Sequence, residues 1–162
     1  MQKALSTAQK TTTEPVFECK RCGQCCLGEG GIVVGTRDLP RLCAWLDLDA
    51  ADFIARYAYK CGDKIKIRSG EDKYCIFFEP GTGCSVHEAK PDICRAWPFF
   101  RGNLVDSQSL AMAKEFCPGI ATDIEHERFV REGLRYLEGS GLAASDPDKD
   151  ANALLKIPPV LP

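Results

Sequence analysis

The segment Phe17-Glu18-Cys19-Lys20-Arg21-Cys22-Gly23-Gln24-Cys25-Cys26 carries four thiols within eight residues, without the spacing that disulfide staples need. Thiols at this density read as a ligand loop. Cys19, Cys22 and Cys25 recur at every third position, so one turn of irregular backbone can bring three sulfurs round a single soft cation or an iron–sulfur cubane. Gly23 has no Cβ and is open to the positive φ that such a bend requires. Cys26 follows Cys25 directly, and neighbouring side chains diverge, so Cys26 is expected at a different centre or closing the first from its far side.

Further thiols follow at wider intervals, at Cys75, Cys84, Cys94 and Cys117, while Cys43 and Cys61 stand apart. Cys43 falls on the stripe Leu39, Leu42, Cys43, Leu46, spaced by threes and fours, and reads as a small buried hydrophobe. The candidate metal ligands are therefore Cys19, Cys22, Cys25, Cys26, Cys75, Cys84, Cys94 and Cys117. Structural zinc and iron–sulfur clusters each take four protein ligands, so this set makes two full sites, or one site with spectators. The run C-x2-C-x2-C with a remote Cys117-Pro118 is similar to the ligand pattern of bacterial-type ferredoxins. Its uneven spacing is unlike the paired C-x2-C of a zinc ribbon, yet zinc tolerates irregular thiolate spacing, and both metals stay open.

A thiolate-bound centre carries net negative charge. Lys20, Arg21, Lys73, Lys90 and Arg95 each lie within four residues of a candidate ligand and either compensate that charge or are ordinary surface groups. His87 follows Cys84 by three positions and is either a further ligand or a hydrogen-bonding residue. His126 is given no role.

Loops of this kind need a core to hold them, and 162 residues allow one domain with polar tails. The expected fold class is α+β: a small single metal-organised domain with a β-hairpin, three to four helices and irregular cysteine-rich loops. It spans 16–140, between a polar tail at 1–15 and a loosely attached tail at 141–162 that contains a short helix. Ile32-Val33-Val34 is a β-branched strand. Thr36 caps a helix running to about Asp47, and Asp49 caps a second with Phe53, Ile54, Tyr57 and Ala58 inside, ended by Cys61-Gly62. Lys64–Arg68 and Tyr74–Phe78 form a hairpin around Ser69-Gly70-Glu71-Asp72, and Glu79–Gly83 turns the chain into Cys84. Gly102-Asn103 is a turn. Thr122 to Glu125 is a capping box opening an amphipathic helix to about Glu138, with Phe129, Val130, Leu134 and Leu137 inside and Gly139 as its cap.

Composition excludes several classes. A net charge of −2 with no basic run gives no footprint for nucleic acid. No window reaches the roughly 20 apolar residues of a membrane span, and the N-terminus lacks the apolar core of a secretory signal. The cytoplasm is the expected compartment, where thiols stay reduced and ten cysteines point to metal or redox chemistry.

The combined pattern, Cys19-x2-Cys22-Gly23-x-Cys25-Cys26, Cys75, Cys84-x-Val86-His87-Glu88-x-Lys90-Pro91-x2-Cys94-Arg95-x2-Pro98-Phe99 and Cys117, resembles the CxxCxxCC family, the zinc- or iron-chelating domain of YkgJ-like cysteine-cluster proteins. The resemblance runs from about Phe17 to Ile120. It implies metal chelation by these eight cysteines and leaves Cys43 and Cys61 outside the set. A similar cysteine-rich region occurs in flagellin lysine N-methylases, which implies an accessory role in protein modification as one alternative.

The leading reading is a metal-binding or accessory module holding zinc or an iron–sulfur centre, with chemistry left to a protein partner. The runner-up is an iron–sulfur redox or electron-transfer protein. Whether the chain is an enzyme stays open: Cys84 with His87 can be drawn as nucleophile and base, but membership in the thiol set favours ligation.

Overall fold

The computed structural model describes residues 14–144 and 146–156. The chain folds as α+β, with helices of eight residues or more at α1 (Asp38–Leu46), α2 (Ala50–Tyr57), α5 (Ser107–Phe116) and α6 (His126–Gly139), and five-residue helices at α3 (Asp92–Ala96) and α4 (Arg101–Val105). An antiparallel sheet orders β1 (Val33–Val34), β3 (Lys64–Ile67) and β2 (Ala58–Cys61) as β1-β3-β2, and β4 (Phe78–Glu79) pairs with β5 (Gly83–Cys84).

Leu42 and Cys43 are buried on the inner face of α1, as their spacing predicts. The side chain of Asp49 accepts from the Asp52 backbone N–H and caps α2, which buries Phe53 completely. These groups, with Val34, Ala58, Ile67, Cys75, Phe77, Val86 and Ala89, form one apolar cluster. A second gathers Val16, Phe99, Leu104, Leu110, Ala113, Cys117, Ile120, Ile124 and Phe129 from the α4–α6 side. A third, smaller cluster joins Val33, Ile93, Ala96, Leu142, Ala151 and Leu154.

Several expectations are corrected. The hairpin pairs β2 with β3, not Lys64–Arg68 with Tyr74–Phe78: α2 stops at Tyr57, Ala58 faces Ile67, and Gly62 at φ 59° turns the chain. What joins 68–70 to 74–76 is an isolated Ser69–Cys75 bridge, flanked by the Ile76 N–H bond to the Arg68 carbonyl and the Gly70 N–H bond to the Tyr74 carbonyl. Gly102-Asn103 lies inside α4, and α5 follows at once because the Asp106 carboxylate accepts from the backbone N–H groups of Gln108 and Ser109. Neither Thr36 nor Thr122 caps a helix; at α1 the Asp38 carboxylate reaches back to the Gly35 N–H at 2.8 Å. Helix α6 runs through Gly139, the left-handed residue is Gly141, and Leu134 is exposed.

The segment after α6 is not loose where it is described. Leu142, Ala151 and Leu154 are buried, the Asp150 carboxylate accepts from the Thr36 and Asp146 N–H groups, and Lys64 donates to the Asp150 carbonyl. Most of the N-terminal tail and the last three prolines lie outside the described residues.

Candidate metal centre

The ligand loop is clamped at both ends. At its start Phe17 bridges Ile120 antiparallel, the Glu18 N–H donates to the Gly119 carbonyl at 2.9 Å, and the Ala121 N–H donates to Val16. Gly119 must be glycine here, since a Cβ would overlap the Glu18 carbonyl. At its end the Cys75 N–H donates to the Cys26 carbonyl at 2.8 Å and the Gly28 N–H to Lys73 at 2.8 Å. Between the clamps Gly23 adopts φ 82° beneath the Phe78 ring and opens a single 3-10 turn over Gln24–Cys26. The positive φ read from sequence at Gly23 is therefore present, and Arg21, at φ 53°, shares the left-handed region.

The other sulfurs arrive on separate elements. Cys75 sits in the first apolar cluster, and Cys84, on β5, packs against it. Cys94 lies in α3, behind a turn whose carbonyls are held by two guanidinium groups: Arg41 bonds to Ala89 and Lys90, and Arg95 to Glu88 and Lys90. Arg41 is itself fixed by Asp38 at 2.6 Å and Asp92 at 2.9 Å, a buried arrangement that anchors α1 to the start of α3. Burial and the neighbouring Asp92 raise the Asp38 carboxyl above the usual carboxylate range. Cys117 terminates α5, and the Trp97 indole N–H donates to its sulfur at 3.4 Å.

All eight cysteines line one cavity of about 1020 Å³, together with His87, Lys90 and Arg95. Cys43 and Cys61 do not line it. Cys43 is buried, as expected, in the first cluster, and Cys61 is exposed on β2.

The cavity is electrostatically uneven. A hydrogen bond from the Cys26 thiol holds Cys25 down at about 7, against burial, with help from Lys90. Donating that bond, with burial and the Cys25 charge, pushes Cys26 up. Burial raises Cys75 to about 11, raises Cys84, and raises Cys94 well above its ordinary range, with the neighbouring sulfurs adding to each. Burial therefore opposes ionisation of Cys26, Cys75, Cys84 and Cys94, and a cation bound among them would displace protons.

Of the five cations flagged by sequence position, three are engaged elsewhere. Lys20 pairs with Glu18, Lys73 with Glu29, and Arg95 is occupied by backbone carbonyls. Among the described residues Arg21 and Lys90 form no ion pair with a carboxylate. Both favour ionised Cys84, and Lys90 also favours ionised Cys25 and Cys94. Burial and these cations lower the His87 imidazole, which keeps it neutral.

Residues 18–118 match the family model CxxCxxCC, described as "Putative zinc- or iron-chelating domain". The chain belongs to the CxxCxxCC family. No solved structure matches it. The donors fit the family's description: thiolates are soft ligands that select zinc and iron–sulfur clusters over hard cations. Among the described residues, however, no three His, Cys, Asp or Glu side chains already stand together as one ion would hold them. Sulfurs on a single tetrahedral zinc are roughly 3.8 Å apart, given Zn–S bonds of about 2.3 Å. The eight sulfurs share the lining of one cavity, with the Cys25 and Cys26 thiols in hydrogen-bond contact. The Asp106 cap and the Arg41 anchor escaped the sequence reading; Asp106 before Ser-Gln-Ser is a legible capping signal, whereas nothing local marks Arg41.

Proposed function

We propose that this chain is a metal-binding module of the CxxCxxCC family whose ligands are Cys19, Cys22, Cys25, Cys26, Cys75, Cys84, Cys94 and Cys117. The observation that carries this reading is the sorting of the cysteines: the eight that line the cavity are those of the family pattern, and the two left over lie elsewhere. His87 lines the same cavity and is neutral, so it is available as an additional donor.

We favour an iron–sulfur centre over a lone zinc ion because the run Cys19-x2-Cys22-x2-Cys25 with a remote Cys117-Pro118 is similar to the ligand pattern of bacterial-type ferredoxins. Bound there, such a cluster supplies one-electron chemistry. Lys90 and Arg21 offset its negative charge. Leu27, Phe116 and Tyr136, exposed at the rim, give a protein partner an apolar contact, which supports an accessory or electron-transfer role.

Metal, acid-labile sulfide and the absorption spectrum of protein purified without oxygen test both statements. Iron with matching sulfide and absorbance near ~400 nm is expected for thiolate-ligated clusters. Zinc without colour would keep the chelating module and remove the redox role. Reduced protein with no metal would overturn both.

A further inference from the structure

We infer that the eight thiols divide between two centres, an inner one drawn from Cys25, Cys26, Cys75, Cys84 and Cys94 and an outer one held by Cys19, Cys22 and Cys117. This rests on the reading of these cysteines as metal ligands and states how they are shared.

The backbone carries the division. The ligand loop lies against two different partners, one at each end. Its start runs antiparallel to residues 119–121, so the strand-like pairing that joins Phe17 to Ile120 and Glu18 to Gly119 brings the following residue, Cys19, toward Cys117. Its end is hydrogen-bonded to residues 73–75, which sets Cys26 beside Cys75. The loop therefore spans the cavity from one wall to the other.

Packing divides the sulfurs in the same way. Cys75 belongs to the first apolar cluster, with Cys26 and Cys84 packed on it, whereas Cys117 belongs to the second. Cys94, on α3, edges the third cluster and lines the same cavity, behind the turn that follows Cys84. From the α3 segment an indole, Trp97, extends to Cys117. Cys22 stands at C-x2-C spacing from both Cys19 and Cys25, and the division assigns it to Cys19, on the Cys117 side of the loop. Five sulfurs on the inner side already exceed the four that a centre takes, and the three left on the outer side are enough to hold another with one further donor.

Metal and sulfide per chain, measured on wild type, C19S, C22S and C84S purified without oxygen, test this. C19S and C22S should each lose the same part of the wild-type metal, and C19S/C22S should lose no more than either. C84S, which leaves four inner thiols, should lose at most the complementary part, and complete loss there overturns the division. Complete loss in C19S, or none, overturns the division. A wild type that contains no metal overturns the chelating reading itself, which is a different result. Cys19 and Cys22 are exposed, so their replacement removes no core contact. If C84S does not fold, as judged by a cooperative thermal transition, the C19S and C22S values decide alone: partial loss supports two centres and total loss supports one.

Discussion

The two walls of the cavity are built by different means. The wall carrying Cys26, Cys75 and Cys84 consists of two-residue strands, turns and loops, held by backbone bonds such as Cys75 to Cys26, Phe78 to Cys75 and Ser85 to Phe77. The wall carrying Cys117 consists of α4, α5 and α6 around a cluster of its own, with Phe99, Phe129 and Tyr136 in ring contact. Helices satisfy their backbone internally and bury a continuous stripe, so the helical wall holds its shape without help. Short strands and loops do not, and under the proposed function a metal held by Cys26, Cys75 and Cys84 would complete that side.

Removing the metal is the strongest way to break this comparison. Structural thiolate sites contribute on the order of 10 kcal/mol in small zinc peptides. Chelator treatment should abolish hydrogen-exchange protection across 17–28 and 73–86 while α5 and α6 retain theirs. Simultaneous loss in both regions would make the molecule one cooperative unit and erase the distinction. Phe129→Ala should cost about 3–5 kcal/mol in urea unfolding, because the ring is completely buried. The inner share of the metal in the folded fraction should stay near that of wild type, since of the eight candidate cysteines only Cys117 belongs to this cluster.

Gly23→Ala probes the opposite wall. A left-handed φ and a Cβ overlapping the Phe78 ring should cost about 1–3 kcal/mol. It should appear as weaker metal retention in a chelator competition, with α6 unaffected. The smallest effect concerns pH in the metal-free, reduced chain. Burial raises Cys75 from an ordinary 9.0 to about 11, so its contribution to stability is complete below the unfolded value and lost as pH rises through the folded one. Cys25, held down at about 7, works in the opposite sense between about 7 and 9.0, adding stability as pH rises. Urea midpoints of metal-free protein should therefore fall between pH 9 and 11, and less so in Cys75→Ala.

The thiol set, the assignment of Cys43 to the core and the Asp49 cap were legible because each rests on a local pattern: spacing, stripe or cap. The hairpin was misread because Lys64–Ile67 alternates but does not name its partner, and Tyr57–Cys61 looks as helical as it does extended. Helix α5 was missed since Met112 and Phe116 point outward and only Leu110 and Ala113 are buried, which leaves little amphipathic signal. The packing of Leu142, Ala151 and Leu154 has no period at all; Asp150 bonding to Thr36 fixes it across the whole sequence. Arg41 is the same kind of case, a long-range anchor that no window can reveal.

The Phe17–Ile120 bridge also dictates an order of events during synthesis. The four clustered thiols leave the ribosome first, while Cys117 and the backbone that seals the loop leave nearly a domain later. If the proposed ligand set holds, a nascent chain stalled before Ile120 would present Cys19, Cys22, Cys25 and Cys26 to metal without Cys117 or the backbone that seals the loop, and correct loading would belong to the completed chain.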